Sequence, residues 1–245
     1  MLERVRGRLG RERIRVLRWR DALWRPFLHG DAVWCAICGR GAKRFMPAGR
    51  PVRPRARCPW CGLAERHRML WRYLDSAEPP RAVLHVAPEA ALGERLRDRC
   101  SDYVSVDLTH DADVQADITV PLPFPDGRFD MVVCSHVLEH IPDDTGAVRQ
   151  LTRVLSADGR LVVLVPISED APTVEEPLAT PQERLAAYGQ EDHVRLYGHD
   201  IVDRLRSCGL DVEVHRWSEV PEADARRLGI DVEAGDVYVC RPVPA

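Results

Sequence analysis

Four cysteines stand in two pairs with a spacing that suits a metal ion. Cys35 and Cys38 form one pair, Cys58 and Cys61 the other, and a glycine follows each. The two-residue gap lets both thiolates of a pair face one ion, and the glycine allows the tight turn after them. Because four thiolates leave no coordination position for water or substrate, we expect a structural zinc ion rather than a catalytic one.

Disulfides and a redox-active pair are the alternatives for these four residues. A cytosolic chain with two such pairs makes both less favoured than zinc. A cytoplasmic location is expected, because no run approaches the ~20 apolar residues that span a bilayer and the first residues are rich in arginine. The other cysteines lie in or beside apolar runs and should be buried free thiols: Cys100, Cys134, Cys208 and Cys240.

Histidines that could act as general bases form a second chemically capable group. His136 and His140 follow an apolar run over residues 129–134, and His193 lies in a later polar stretch. Imidazole is suited to proton transfer because its unperturbed pKa lies near working pH. His140 has a competing interpretation as a brace for its own turn, so His136 and His193 are the favoured candidates.

The elements around the first two histidines predict a strand–helix–strand unit. Residues 129–134 are bounded by turn residues, as a buried parallel strand should be. Asp143 or Asp144 can cap a helix running to about Leu155, which Asp158 and Gly159 end. Residues 161–165 form the next buried strand. Ser135 to His140 therefore lie at the carboxyl edge of a sheet, where open α/β sheets bind ligands.

Further strands are expected before and after this unit. Residues 82–87, 103–107 and 114–118 read as three strands, and Asp107 ends the second of them. An acid at that place can accept hydrogen bonds from both hydroxyls of a nucleotide ribose. Towards the C-terminus we expect a helix and two more strands: residues 200–208, 210–217 and 237–240.

Several of these segments resemble a known family. The run FDMVVCSHVLEHI, with RVL-x-x-x-G at the correct distance, resembles the class I S-adenosylmethionine (SAM) methyltransferases of the methyltransferase type 11 kind. From about Trp34 onward the chain is similar to a bacterial subgroup with a zinc ribbon, an RHR helix, an LH-x-APE turn and a late GQ-x-DHVR-x-YG motif. The resemblance implies an α/β fold: a Rossmann-like sheet with helices on both faces, preceded by the four-cysteine ribbon and an N-terminal helix.

This resemblance implies three segments and a bound SAM. Residues 1–30 would form a basic amphipathic helix, 31–80 the ribbon and a connecting helix, and 81–245 the methyltransferase domain with a lid-like insertion at 168–198. The APE turn replaces the usual glycine-rich turn, so that small Ala87 permits close approach and Glu89 receives the cofactor's positive charge. The implied cofactor contacts are His85, Ala87, Glu89, Asp107, Leu108, Asp117, Ile118, Ser135 and His136.

The same resemblance places the acceptor under the insertion. The residues expected near it are Gln190, Asp192, His193, Arg195 and Tyr197. The expected reaction is methylation of a hydroxyl or carboxyl group on a small molecule or glycan. One alternative is a non-catalytic scaffold that has lost SAM binding together with the glycine turn. A homodimer is possible, and no feature of the sequence decides the oligomeric state.

Charge is divided unevenly along the chain. The first 81 residues hold 20 Lys and Arg against 7 Asp and Glu, whereas the rest hold 15 against 31. The basic part can dock on the acidic part or meet an anionic partner. An RNA methyltransferase that uses a basic zinc module is therefore a second alternative, although the acidic second part argues against a nucleic-acid groove.

Overall fold

The computed structural model describes residues 25–49, 51–109, 112–168, 170–176 and 180–243. Most of the expected N-terminal helix lies outside these residues. Its described end, residues 25–28, is helical, so the Arg25-Pro26 step lies within the helical segment. Within the described residues, no helix combines the length and the apolar character needed to cross a membrane.

Two short hairpins form the cysteine-containing module. β1 (Val33–Cys35) pairs with β2 (Arg40–Ala42), and β3 (Met46–Ala48) pairs with β4 (Arg53–Arg57). Cys35 ends β1 and Cys38 lies in the turn between β1 and β2, whereas Cys58 and Cys61 follow β4. The chain then enters α1 (Glu65–Ser76), the connecting helix expected from the sequence.

A seven-stranded sheet forms the main domain. Its strands stand in the order β13, β14, β9, β8, β5, β6, β7, and only β14 runs antiparallel to its neighbours. Their bounds are β5 (Ala82–Val86), β6 (Asp102–Asp107), β7 (Val114–Gln115), β8 (Phe129–Ser135), β9 (Leu155–Leu164), β13 (Leu210–His215) and β14 (Val237–Pro242). The expected α/β class and the antiparallel end of the sheet are confirmed.

Both faces of the sheet are covered. Along β8, Val132 and Cys134 join one buried cluster with α3 (Asp144–Arg153) and α5 (Ile201–Arg206), while Met131 and Val133 join the other. That second cluster contains α1, α2 (Ala90–Arg97) and part of α6 (Glu222–Leu228). Alternate residues of each strand thus enter different cores, which explains why the strands read as continuous apolar runs.

The cysteine module shares the second of these cores. Ile37 and Phe45 from the module are buried in the same cluster as Val83 and Met131 of the central sheet. Arg68 of α1 is fully buried among them, with its guanidinium 3.7 Å from the centre of the Phe45 ring. The module therefore packs as part of the domain.

Two boundaries differ from the sequence-based prediction. The third strand is only Val114–Gln115, because Asp117 caps a turn by accepting a hydrogen bond from Thr119 N at 2.8 Å. The helix at Asp143 ends at Arg153, and β9 already begins at Leu155. Residues 156–159 lie in an irregular stretch of β9, where the register against β8 jumps from Leu155 to Arg160.

The described residues of the insertion at 168–198 form short strands and a helix. β10 (Ile167–Ser168) and β11 (Val174–Glu175) flank β12 (Arg195–Gly198) in a three-stranded sheet. α4 (Pro181–Tyr188) begins at a reciprocal cap between Thr180 and Glu183. The T-P-Q-E sequence is typical of such a capping box. The helix was not predicted, because the segment is highly polar.

Candidate cofactor and acceptor site

Two neighbouring strands of the central sheet end in left-handed residues. Ala87 follows β5 with φ 48° and His136 follows β8 with φ 54°, the two non-glycine residues with positive φ in the described ranges. The pairing of Val86 with Cys134 puts both at one sheet edge. A left-handed residue with a Cβ costs ~1–2 kcal/mol, and such strain clusters at functional sites. Strand order reverses direction between β5 and β8, which is where open α/β sheets bind ligands.

Glu89 at the start of α2 lies between two histidines. His67 Nε2 is 2.7 Å from one carboxylate oxygen, and His85 Nε2 is 3.5 Å from the other. His85 is fully buried and also meets the Tyr103 hydroxyl at 2.9 Å through Nδ1. The contacts proposed from sequence are therefore revised: His85 supports the turn from beneath, and Glu89 joins α1 to the strand end.

The histidines change the acidity of Glu89. Burial opposes ionisation of this carboxyl group, but hydrogen bonds from His67 and His85 outweigh burial and hold its pKa well below the usual range. The sequence had suggested His67 only as a polar contact, and it is one. Its Nδ1 also accepts a hydrogen bond from Ala64 N at 3.0 Å, so one imidazole fixes both the helix start and the turn.

We expect a pH-dependent stability contribution from Glu89. Since its folded-state pKa is depressed, the contribution is present above the unfolded pKa near 4.5 and is lost as pH falls below it. The unfolding free energy of wild type should exceed that of Glu89→Gln at neutral pH, and the difference should shrink on acidification. Glu94→Gln, an exposed carboxylate on the same helix, serves as control. A difference that stays constant with pH would contradict this assignment.

Of the two aspartates expected at the cofactor, Asp107 ends its strand as predicted, whereas Asp117 lies in a turn beyond the end of β7. Asp107 is half-buried at the end of β6, and its Oδ1 accepts a hydrogen bond from Thr109 N at 2.8 Å. Leu108 beside it is 67% exposed, an apolar side chain left open at the sheet edge. Asp117 is exposed and Ile118 is buried in the core next to it. This arrangement leaves Asp107 Oδ2 and the Leu108 side chain accessible to a ligand.

Several buried polar atoms at this edge have no hydrogen-bond partner among the described residues. They include Ser135 Oγ, Glu89 Oε2, Arg66 Nε and both carboxylate oxygens of Glu139. Leaving such atoms unsatisfied costs ~1–3 kcal/mol each. A polar ligand would satisfy them, and SAM carries both a carboxylate and cationic groups. The chemistry of the edge therefore fits this cofactor.

Arg66 is a candidate ligand-binding residue that the sequence analysis named in a motif without assigning a role. It lies on α1, and the carboxylates that most influence its charge are Glu89, Glu65 and Glu139. Burial is the larger effect and lowers its pKa. In the sequence, only the RHR motif points to Arg66. Its position near the sheet edge depends on how the cysteine module packs, which the sequence does not show.

A cluster of histidines and one glutamate lies beside the end of β8. His136 Nδ1 is 3.2 Å from Glu139 Oε1, and the rings of His140 and His193 meet edge to face at 4.7 Å between centroids. Burial lowers the pKa of His136 and of His193. Burial also disfavours the charge on Glu139, but the neighbouring imidazole of His136 outweighs burial and lowers the pKa of that carboxyl group. Burial is the effect that favours the neutral form of His136.

The residues expected to contact an acceptor divide into two groups. Gln190 and Asp192 are exposed, and His193 is buried beside Glu139. Arg195 and Tyr197 are fully buried, and the terminal nitrogens of Arg195 and the hydroxyl of Tyr197 form hydrogen bonds inside the fold. Arg195 donates to Leu138 O at 2.8 Å. We therefore correct their role from substrate contact to positioning, because they attach the insertion to the turn that carries Glu139.

The four cysteines of the module meet at one point. Sγ of Cys35 lies 3.7 Å from Sγ of Cys61, and Sγ of Cys38 lies 3.7 Å from Sγ of Cys58. Bonds of ~2.3 Å from zinc to sulfur in a tetrahedron require sulfurs about 3.8 Å apart. The cluster is therefore compatible with zinc. The remaining cysteines are free thiols, buried at Cys134 and Cys240 and half-buried at Cys100 and Cys208.

Comparison with known proteins finds similarity to methyltransferases in part of the chain. A family described as methyltransferase domain matches residues 80–163. Among structures, a chain of the Haloferax volcanii Trm112 methyltransferase activator complex with a candidate methyltransferase is 17% identical, with a TM-score of 0.52 over 71% of this chain and 89% of that one. YcgJ from Bacillus subtilis is 14% identical, with a TM-score of 0.50 over 71% of this chain and 97% of that one. These structures share the fold.

Sequence relatives agree with the family match. The ubiquinone/menaquinone biosynthesis C-methyltransferase UbiE of Vibrio parahaemolyticus is 37% identical over 55% of this chain and 49% of its own. Tocopherol O-methyltransferase of Arabidopsis thaliana is 29% identical over 46% of this chain and 33% of its own. The chain thus spans about half or less of these curated relatives. Together the comparisons show a methyltransferase domain match over residues 80–163 and a fold shared with the solved structures.

Proposed function

We propose that this chain is a SAM-dependent methyltransferase that acts on a hydroxyl or carboxyl group of a small molecule or glycan. One observation carries the proposal: strained Ala87 and His136 meet at the switch point of the sheet, beside buried polar atoms that lack partners. Methyltransferases with small-molecule names among the relatives support the acceptor class.

We assign the cofactor contacts from this geometry. Asp107 would accept hydrogen bonds from the ribose hydroxyls, with Leu108 against the adenine and Asp117 near its amino group. Ser135 and Arg66 would hold the carboxylate of the methionine part, because a guanidinium and a hydroxyl suit that anion. Ala87 lets the backbone approach closely, since its side chain is a single methyl group.

The protein's tasks in this reaction are alignment and proton removal. Bound SAM supplies a methyl group that its sulfonium already activates. Alignment of the acceptor with it can contribute ~7–11 kcal/mol. Since His136 Nδ1 faces Glu139, Nε2 is the nitrogen that would take the proton from an acceptor hydroxyl as the oxygen–methyl bond forms and the sulfur–methyl bond breaks. His193 is the second candidate for this role.

Loss of the base should lower turnover more than cofactor binding. With the acceptor found by a screen of labelled methyl transfer, His136→Gln should reduce kcat by about 10²–10⁴-fold. Wild-type kcat should fall on acidification through a pKa below 6.5, because protonated His136 cannot accept a proton. Binding of S-adenosylhomocysteine to the variant, measured by calorimetry, should stay close to wild type. An unchanged kcat would exclude His136 as the base.

We also propose that the four-cysteine cluster holds one structural zinc ion. The support is the tetrahedral separation of the sulfurs and the absence of room for a fifth ligand in a closed four-thiolate shell. The ion would hold the two hairpins together and, through α1, position Arg66 and His67 at the sheet edge.

A further inference from the structure

Three side chains of metal-ligand type converge beside the end of β8. One ligand atom each from Glu139, His140 and His193 lies within 4.8 Å of the others. They come from two distant segments: the 3-10 turn Leu138–His140 and the stretch before β12. A backbone hydrogen bond of 2.9 Å from Val194 N to Glu139 O fixes the segments together. The three groups are therefore placed by the fold, not by chance contact of mobile surface chains.

The buried members of this group lack partners. His193 is 2% exposed and Glu139 is 0% exposed, yet both ring nitrogens and both carboxylate oxygens are without a hydrogen-bond partner among the described residues. The contact from His136 Nδ1 is to Oε1 of Glu139 at 3.2 Å, so the other oxygen is available. Burying a carboxylate and an imidazole in this way is costly unless something satisfies them. A cation would satisfy both at once.

We propose that Glu139, His140 and His193 bind one divalent transition-metal ion, at a site separate from the four cysteines. Two imidazoles and one carboxylate form a donor set used by zinc and by iron(II), whereas magnesium and calcium prefer oxygen ligands. Ligands of a tetrahedral ion lie about 3.4 Å apart, so the side chains must close by about an ångström. His140 is the partly exposed member of the three, with its side chain 34% exposed.

Such an ion would retain an open coordination position. Three protein ligands leave at least one place for water or another oxygen donor. Asp192 Oδ2 lies 3.5 Å from His140 Nδ1, so a further carboxylate is within reach of the cluster. The use of the open position by an acceptor oxygen rests on the proposed methyltransferase function. Binding of the ion does not, since it depends only on the three side chains.

Cobalt(II) titration of the full chain tests the site. With zinc first loaded at the cysteines, added cobalt should bind at one equivalent and give visible d–d absorption without a sulfur-to-cobalt charge-transfer band. His193→Ala and Glu139→Gln should each weaken this binding at least tenfold. His199→Gln, an exposed histidine after the insertion's last strand, should leave it unchanged.

Three results would overturn the proposal: no cobalt bound to folded wild type, equal binding by the ligand variants, or a charge-transfer band showing cobalt at the cysteines. Circular dichroism checks that Glu139→Gln is folded, and His193→Ala supplies the answer if it is not. S-adenosylhomocysteine calorimetry on the same samples separates the two proposals. Cofactor binding without cobalt binding rejects only the proposed metal site. Cobalt binding without cofactor binding rejects only the proposed methyltransferase function.

Discussion

Removal of the metal from the four-cysteine cluster should unfold far more than the two hairpins. A structural zinc ion contributes ~10–16 kcal/mol of apparent folding free energy, which is comparable to the whole stability of a domain. Ile37 and Phe45 of the module belong to the same buried cluster as Val83 and Met131 of the sheet. Loss of the module would therefore expose one face of the central sheet, and the melting transition should move as a single unit.

This prediction is checked by thermal unfolding with and without a zinc chelator, together with measurement of zinc released per chain. Cys61→Ser should reproduce the effect of the chelator, since it removes one ligand. Cys100→Ser is the matched control, because Cys100 is half-buried and lies outside the cluster. We expect one zinc per chain at the four cysteines, apart from any zinc at Glu139, His140 and His193, and a large fall in Tm when it is released. An unchanged Tm after complete zinc release would show that the module is an independent appendage.

Replacement of Arg68 should give the second large effect. This buried guanidinium donates to Ala56 O at 3.0 Å and to Gly229 O at 3.0 Å, so it joins the cysteine module to the loop after α6. Burial lowers the pKa of Arg68, although the lost solvation is replaced by several carbonyl acceptors. Arg68→Met fills similar space but leaves those carbonyls unpaired at ~1–3 kcal/mol each.

We expect Arg68→Met to lower the unfolding free energy by at least about 3 kcal/mol. Arg72→Met is the matched control one turn further along α1. Its side chain is exposed and reaches only Asp224 at 3.4 Å, so its loss should change stability by less than about 0.5 kcal/mol. Chemical denaturation of both variants measures the difference. Equal stability of the two would remove Arg68 as the connection between module and domain.

The sequence predicted those features that depend on local pattern. The apolar runs at β5, β6 and β8 were correct, because the strands enter two cores. Of the two aspartates predicted as the cap, Asp143 is the one that accepts a hydrogen bond from Gly146 N, three residues away. The spacing of the cysteine pairs likewise placed four sulfurs together. Such features need only neighbours in the chain or a repeat of known period.

Features that depend on distant packing were missed or misassigned. Arg195 and Tyr197 carry polar groups in a late motif, which suggested substrate contact, but both are buried and Tyr197 binds Asp144 at 2.6 Å. The sequence also did not indicate that Glu89 lies between His67 and His85, and its proposed contact with the cofactor stays a prediction. Residue type alone cannot distinguish a buried polar anchor from a ligand contact, because the distinction lies in which side chain fills the space beside it.

The central claim is that SAM binds at the carboxyl edge of the sheet despite the missing glycines. Calorimetric titration of the zinc-loaded chain with S-adenosylhomocysteine tests it most directly. We predict micromolar binding by wild type and a loss of at least tenfold in Asp107→Ala, since hydrogen bonds to a charged group contribute ~1.5–3 kcal/mol. Asp107→Asn can keep the turn to Thr109 while losing the charge, which separates ribose contact from loop disorder. Absence of binding by folded wild type, or binding unaffected by Asp107→Ala, would contradict the account.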